Sequence, residues 1–173
     1  MSTSSTPTPT TTLSTQHLAE QLAQALLHKQ WRMCTAESCT GGLIGGACTD
    51  LAGSSLWFDS GFITYSNDAK TALLGVDAAL IARRGAVSEQ VAAAMLQGAL
   101  QHTGVQAGVA VTGIAGPTGG SRSKPVGTVW FAFGVPGRSI TEKLVFAGDR
   151  AAVRAQTVQH ALTRLREMLH ELV

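Results

Sequence analysis

Residues 31–51 read WRMCTAESCTGGLIGGACTDL, a short apolar run that breaks into hydroxyls, a carboxylate, a thiol and paired glycines before hydrophobic residues resume. Trp31 to Ala36 has the length of a buried strand, and Gly42 to Leu51 reads as a helix whose propensity is lowered by Gly45 and Gly46. A strand that turns directly into a helix is the building unit of an α/β domain.

Upstream, Leu18, Leu22, Ala25 and Leu26 recur at helical spacing, with Ser14 or Thr15 as cap and an end near Gln30. Downstream, Phe58 to Tyr65 predicts a second strand, and Ser66 caps a short helix from Asn67 to Leu74 that carries Lys70. Ala78 to Arg83, closed by Gly85, predicts a further helix; Ser88 opens another through Leu100 that Gly104 stops. Val105 to Val111 is a β-branched run into a third strand. Thr128 to Phe133 and Ile140 to Phe146 predict an antiparallel pair joined through Val135, Pro136 and Gly137. Asp149 caps a last helix with an apolar stripe of Val153, Thr157, Ala161, Leu165, Met168, Leu169 and Leu172. Strands interleaved with helices and one late hairpin predict a three-layer α/β/α domain over residues 13–173 with a mixed, partly antiparallel sheet. Residues 1–12, rich in Ser, Thr and Pro, predict a disordered polar tail.

Composition narrows the function classes. A formal charge of +2 on scattered basic residues gives no footprint for direct nucleic-acid binding. No run reaches the roughly 20 apolar residues of a membrane span, and the N-terminus lacks the basic and apolar regions of a secretory signal. Three cysteines, Cys34, Cys39 and Cys48, form no CxxC pair and leave one over in any disulfide scheme, so free thiols in the cytoplasm are expected. The 19 glycines point to close backbone packing and shaped loops.

Chemistry concentrates in Thr35 to Gly42, where amide groups at a helix start can converge on an anion or a developing oxyanion; a plain capping turn is the alternative. The five histidines, His17, His28, His102, His160 and His170, fall on predicted helices, mostly toward polar faces, so a Ser-His-Asp centre is weakly supported and no metal-ligand spacing occurs. Lys70 offers another base if its amine is neutral near pH 7, which requires a fall from about 10.4 worth roughly 4 kcal/mol. Thr112 to Gly127, TGIAGPTGGSRSKPVG, has neither helical nor strand period and matches no standard nucleotide loop, but Thr112 and Gly113 sit at a strand end where α/β sheets bind ligands. Arg150 and Arg154 oppose the dipole of the last helix, so a phosphate contact or simple solvation would account for them.

The segments TAESCTGGLIG, AGSS, FITYSNDAK, LLGV, GAVSEQVA, VTGIAGPTGG, KPVGTVWFAF and FAGDRAAVR, in that order from about Leu18 to Leu172, together resemble the CinA C-terminal domain family. The resemblance implies an amidohydrolase that converts nicotinamide mononucleotide to nicotinate mononucleotide and ammonia in pyridine nucleotide recycling, with neither metal nor redox cofactor. It implies Ser38 as nucleophile, Lys70 as base, and Tyr65 as a group that orients the amine or relays a proton. Cys39, Thr40, Gly41 and Gly42 would supply amides to the oxyanion, Thr112 and Gly113 would face the substrate, and Arg150 would meet the phosphate. Cys39 and Thr40 are rival nucleophiles. Two departures stand out: GGSRSKPVG lacks the acidic residue that commonly precedes the lysine, and DSGF stands where Gly-Gly is frequent. Longer family members carry an additional N-terminal domain, so a stand-alone form is expected here, as is a homodimer. A noncatalytic accessory protein of competence or DNA damage, suggested by the family's name, is the alternative function.

Overall fold

The computed structural model describes residues 14–172; the tail expected over 1–12 lies outside them. Helix α1, Thr15–Lys29, starts where the Ser14 hydroxyl accepts from the His17 amide and ends at Gln30, whose φ of 56° is left-handed. Strand β1, Met33–Glu37, is followed by α2, Leu43–Thr49, a single 3₁₀ turn at Ser54–Leu56, and β2, Phe58–Ile63. Three helices come next: α3, Asn67–Leu74, α4, Ala78–Arg84, and α5, Glu89–Thr103. Their N-caps are Ser66, Asp77 and Ser88, each accepting from an amide two or three residues on. Strands β3, Ala107–Gly113, β4, Thr128–Val135, and β5, Arg138–Val145, precede the long α6, Arg150–Glu171, which Asp149 caps.

The sheet runs β2-β1-β3-β4-β5, with β1 parallel to both β2 and β3, and β4 antiparallel to β3 and β5. It is the mixed sheet that the interleaved helices and the late hairpin predict. On one face α1, α2 and α6 bury Leu22, Leu26, Ile44, Leu162 and Leu165 against Val109, Phe131 and Phe133. On the other, α3 to α5 pack Leu74, Val91, Met95 and Leu96 over Ala36, Ala110 and Ala132. Each fully buried leucine contributes about 2 kcal/mol of transfer free energy, so both faces are held by apolar burial. The small residues Ala36, Ala110 and Ala132 on the α5 face let that helix approach the sheet closely.

Some boundaries differ from those expected. Both hairpin strands are longer than the alternation suggests and leave a two-residue loop, Pro136-Gly137, with Gly137 at φ 76°. Strand β3 runs on to Gly113, because Gly113 still pairs with Val129 of β4. His160, expected on a solvated helix face, is instead half-buried: its ring packs 4.7 Å from Phe131, and it bonds Glu142 of β5 at 2.9 Å. Glu142 also accepts from Arg164 at 2.7 Å; desolvation opposes ionisation there, but the bonds from Arg164 and His160 win and hold its carboxyl below the usual range. This cluster ties the edge strand to α6. Among the described residues, no helix is long and apolar enough to cross a membrane.

Candidate active site

The carboxyl ends of β1, β2 and β3 meet where the chain leaves β1 toward β2 on one side and later returns to β3 on the other. Ligands favour this position in α/β sheets because strand ends and helix starts open a crevice there. β1 delivers Ser38, β2 leads into Thr64 and Tyr65, and β3 ends in Thr112 and Gly113. A cleft of about 190 Å³ is lined by Ser38, Cys39, Tyr65, Asn67, Lys70, Ala86, Val87, Thr112, Gly113, Ala115 and Arg150. A larger hollow of about 720 Å³ between α1 and α6 holds polar and basic side chains such as Gln21, His28 and Arg166 but no nucleophile beside a base.

Lys70 is 1% exposed, and its Nζ lies 2.9 Å from Ser38 Oγ, 2.8 Å from the Thr64 carbonyl and 3.3 Å from the Tyr65 carbonyl. The capping serine at position 66 starts α3 so that Lys70, one turn in, reaches back over the end of β2. Burial pushes the amine below the ordinary lysine value, and a weaker interaction with Cys39 opposes it. A neutral amine has two N–H bonds and one lone pair. As an ammonium Lys70 donates to all three oxygens; as a neutral amine its two N–H groups would serve Thr64 and Tyr65, and its lone pair would accept from the Ser38 hydroxyl.

The turn after Ser38 is organised by a carboxylate. Glu37, 1% exposed, accepts from the Thr35 and Thr40 hydroxyls at 3.1 and 2.7 Å. It also accepts from the amides of Gly42, Ile44 and Gly45 at 3.1, 3.0 and 2.8 Å. It therefore does for α2 what an N-cap side chain does, since Gly42 at the cap has no side chain to offer. Gly41 and Gly42 have φ of 58° and 99°, left-handed values that favour glycine. From the other side Arg154 donates to the carbonyls of Cys39 and Thr40 at 3.1 and 3.0 Å.

The amides expected to face an oxyanion divide into two pairs. Gly41 N–H donates to the Ser38 carbonyl at 3.1 Å, and Gly42 N–H to Glu37, so both are engaged. The amides of Cys39 and Thr40 donate to no other described residue. Gly41, Gly42 and the Thr40 side chain, whose hydroxyl is spent on Glu37, lie outside the cleft lining; the Thr40 N–H belongs to the peptide that follows Cys39, which lines the cleft and whose carbonyl turns to Arg154.

The remaining expected residues gather at the cleft with contacts that sequence spacing does not reveal. The backbone carbonyl of Tyr65 meets Lys70, while its phenol oxygen accepts from Arg150 Nη2 at 2.8 Å. Arg150 Nη1 donates to the Gly116 carbonyl at 2.9 Å. Carbonyl oxygens thus meet both cations of the first turns of α6. Thr112 Oγ1 donates to Ala86 O at 2.9 Å, tying β3 to the loop before α5. A Cβ at Gly113 would sit 2.7 Å from Val129 Cγ2 and 3.2 Å from Cys39 Sγ, so glycine is needed for the strand end to lie beside the turn. Burial pushes the Cys39 thiol up to about 11. Asn67, Ala86 and Val87 line the cleft without having been singled out in the sequence. No cluster of three or more His, Cys, Asp or Glu placed to hold a metal ion occurs among the described residues.

Fold and cleft together define an α/β protein in which a serine and a buried lysine amine are paired at the switch point of a mixed sheet. Residues 15–169 match the model of the CinA C-terminal domain, and the chain belongs to that family. It is 54% identical to the nicotinamide-nucleotide amidohydrolase PncC of Enterobacter agglomerans, over 88% of this chain and 94% of that protein. It is 51% identical to the Escherichia coli protein of the same name, over 86% and 90% respectively. Among solved structures, the competence damage-inducible protein A of Klebsiella pneumoniae superposes with a TM-score of 0.90 at 40% identity, covering 93% of this chain and 100% of that one. A competence/damage inducible protein of Agrobacterium tumefaciens gives 0.87 at 43% identity, covering 90% and 95%.

Proposed function

We propose that this chain hydrolyses the carboxamide of nicotinamide mononucleotide to nicotinate mononucleotide and ammonia, with Ser38 as nucleophile and neutral Lys70 as base. The observation that carries the reading is the 2.9 Å approach of Lys70 Nζ to Ser38 Oγ inside a sheltered cleft, with the amine's other contacts both to carbonyls. Lys70 takes the hydroxyl proton as Ser38 Oγ attacks the carboxamide carbon, and the tetrahedral oxyanion is held by the amides of Cys39 and Thr40. Protonated Lys70 passes that proton to the departing nitrogen, so ammonia leaves as the carbon–nitrogen bond breaks. Water, deprotonated by the same amine, then attacks the acyl-enzyme; Ser38 Oγ leaves and recovers its proton, and the nicotinate carboxylate forms.

The small cleft suits the pyridine carboxamide. It adjoins a hollow of about 650 Å³ through Ala115 and Arg150, which gives the ribose and phosphate room to extend past Arg150. Cys39 is a poorer nucleophile here: with its thiol pushed up to about 11, little thiolate exists at neutral pH, and Lys70 bonds the neighbouring hydroxyl instead. Three buried free thiols support a cytoplasmic setting, in recycling of pyridine nucleotides. A second copy of the chain is the partner proposed for the apolar edge around Leu43 and Ile63, which are 42% and 54% exposed beside Gly42.

The test is ammonia release by Ser38→Ala and Cys39→Ala. Ser38→Ala loses at least about a thousandfold in kcat with an unchanged melting temperature, while Cys39→Ala keeps turnover. Turnover surviving in Ser38→Ala and lost in Cys39→Ala would transfer the nucleophile to the thiol. Folded wild-type protein without ammonia release would favour the noncatalytic reading.

A further inference from the structure

Like Lys70 and Arg150, Arg154 has no carboxylate among the described residues within ion-pair distance; its guanidinium is committed to two successive backbone oxygens on the far side of the Ser38 turn. Each carbonyl shares its peptide group with the N–H of the following residue. Nε holds the Cys39 carbonyl, whose partner across the peptide is the Thr40 N–H. Nη2 holds the Thr40 carbonyl, whose partner is the Gly41 N–H; that amide donates to the Ser38 carbonyl, whose own partner is the Cys39 N–H. The two arms of one guanidinium therefore end, through one peptide and through two, on the two turn amides that donate to no other residue.

We propose that Arg154 is a positioning residue that orients and polarises the Cys39 and Thr40 amides as the oxyanion hole of the reaction put forward above, on which this inference rests. A cation on a carbonyl draws electron density along the peptide and makes its N–H a stronger donor, and bonds in series reinforce one another by about 10–30% each. The fork geometry matters as much as the charge, because two carbonyls in different peptide groups are held at once. Glu37 completes the arrangement from the opposite side by taking the amides of Gly42, Ile44 and Gly45, so the turn is fixed between a buried anion and a cation. Such preorganised donors lower the barrier without changing substrate binding in the ground state, and the signature is a loss in kcat alone.

The rival role is a direct phosphate contact, since Arg154 also lines the 650 Å³ hollow with Arg150. Steady-state kinetics of Arg154→Met and Arg154→Lys, with calorimetric affinity for the product nicotinate mononucleotide, separate the two. Arg154→Met lowers kcat by about tenfold or more, with KM and product affinity within about twofold of wild type. Arg154→Lys, which keeps the charge but not the fork, recovers only part of that loss. A defect residing in KM and product affinity overturns the proposal in favour of phosphate binding, and full kcat in Arg154→Lys overturns the positioning claim in favour of charge alone. If Arg154→Met does not fold, Arg154→Lys decides by itself: a several-fold lower kcat at unchanged KM supports the inference, and wild-type kcat removes it. Wild-type protein that releases no ammonia overturns the functional reading and this one together; an active wild type, an inactive Ser38→Ala and unaffected Arg154 variants overturn this inference alone.

Discussion

Lys70 concentrates the physical problem of the site in one atom. Two main-chain carbonyls and one hydroxyl surround its nitrogen, and these suit an ammonium as well as a neutral amine; burial shifts the balance toward the neutral form by making the charged one costly. With its pKa lowered, the base form gains population as pH rises through that lowered value, so kcat/KM climbs on an acid limb whose midpoint lies below the ordinary lysine value of about 10.4. Stability carries the same sign. Between the lowered value and about 10.4 the unfolded chain binds one more proton than the folded one, so unfolding free energy rises with pH in that window. A pH-rate profile with no acid limb below about 10 would contradict the assignment. Ser38 and Lys70 were legible in the sequence because each stands in a short segment that resembles a known family. Their immediate partners were not: Arg154 is 115 residues from Cys39, and no spacing rule announces that the last helix of the chain will clasp a turn near its start. Glu37 is a milder case, since a carboxylate five residues ahead of a glycine N-cap looks polar in sequence and proves to be that helix's cap.

Helix α5 illustrates what glycine does for an element. The excess of glycine pointed to close backbone packing without saying where, and Gly98 is one such place: a Cβ there would lie 2.0 Å from the Leu74 carbonyl oxygen at the end of α3. Backbone cannot yield as a side-chain tip does, so Gly98→Ala must push α3 and α5 apart despite alanine's better helix propensity. It is expected to destabilise the protein by about 3 kcal/mol, read as a lowered melting temperature; an unchanged or raised value would show that the helices separate at little cost. The displacement would be felt at Lys70, which sits on α3. Caps and periodicity located α1, α3, α5 and α6, because Ser14, Ser66, Ser88 and Asp149 are local signals. Strand ends were less legible: whether Gly113, Val135 and Arg138 join the ladder depends on partners supplied by other strands.

Across the whole molecule, the order β2-β1-β3-β4-β5 places three strand ends around one crevice, and helices on both faces hold those ends rigid enough for a 2.9 Å contact between residues 38 and 70. The alternation of strand and helix predicted a mixed three-layer sheet. What it could not predict is which strand ends become neighbours, because strand order is decided by packing of the α1, α2 and α6 layer against one face and of α3 to α5 against the other. In the proposed mechanism a deprotonated Lys70 activates Ser38 for amide hydrolysis. This activation is tested most directly by ammonia release from nicotinamide mononucleotide at neutral pH, comparing wild type with Lys70→Met, whose side chain fills the same buried space without a base. The expected result is a loss of at least about a hundredfold in kcat with the fold retained; a folded Lys70→Met protein that turns over within a few-fold of wild type would contradict it.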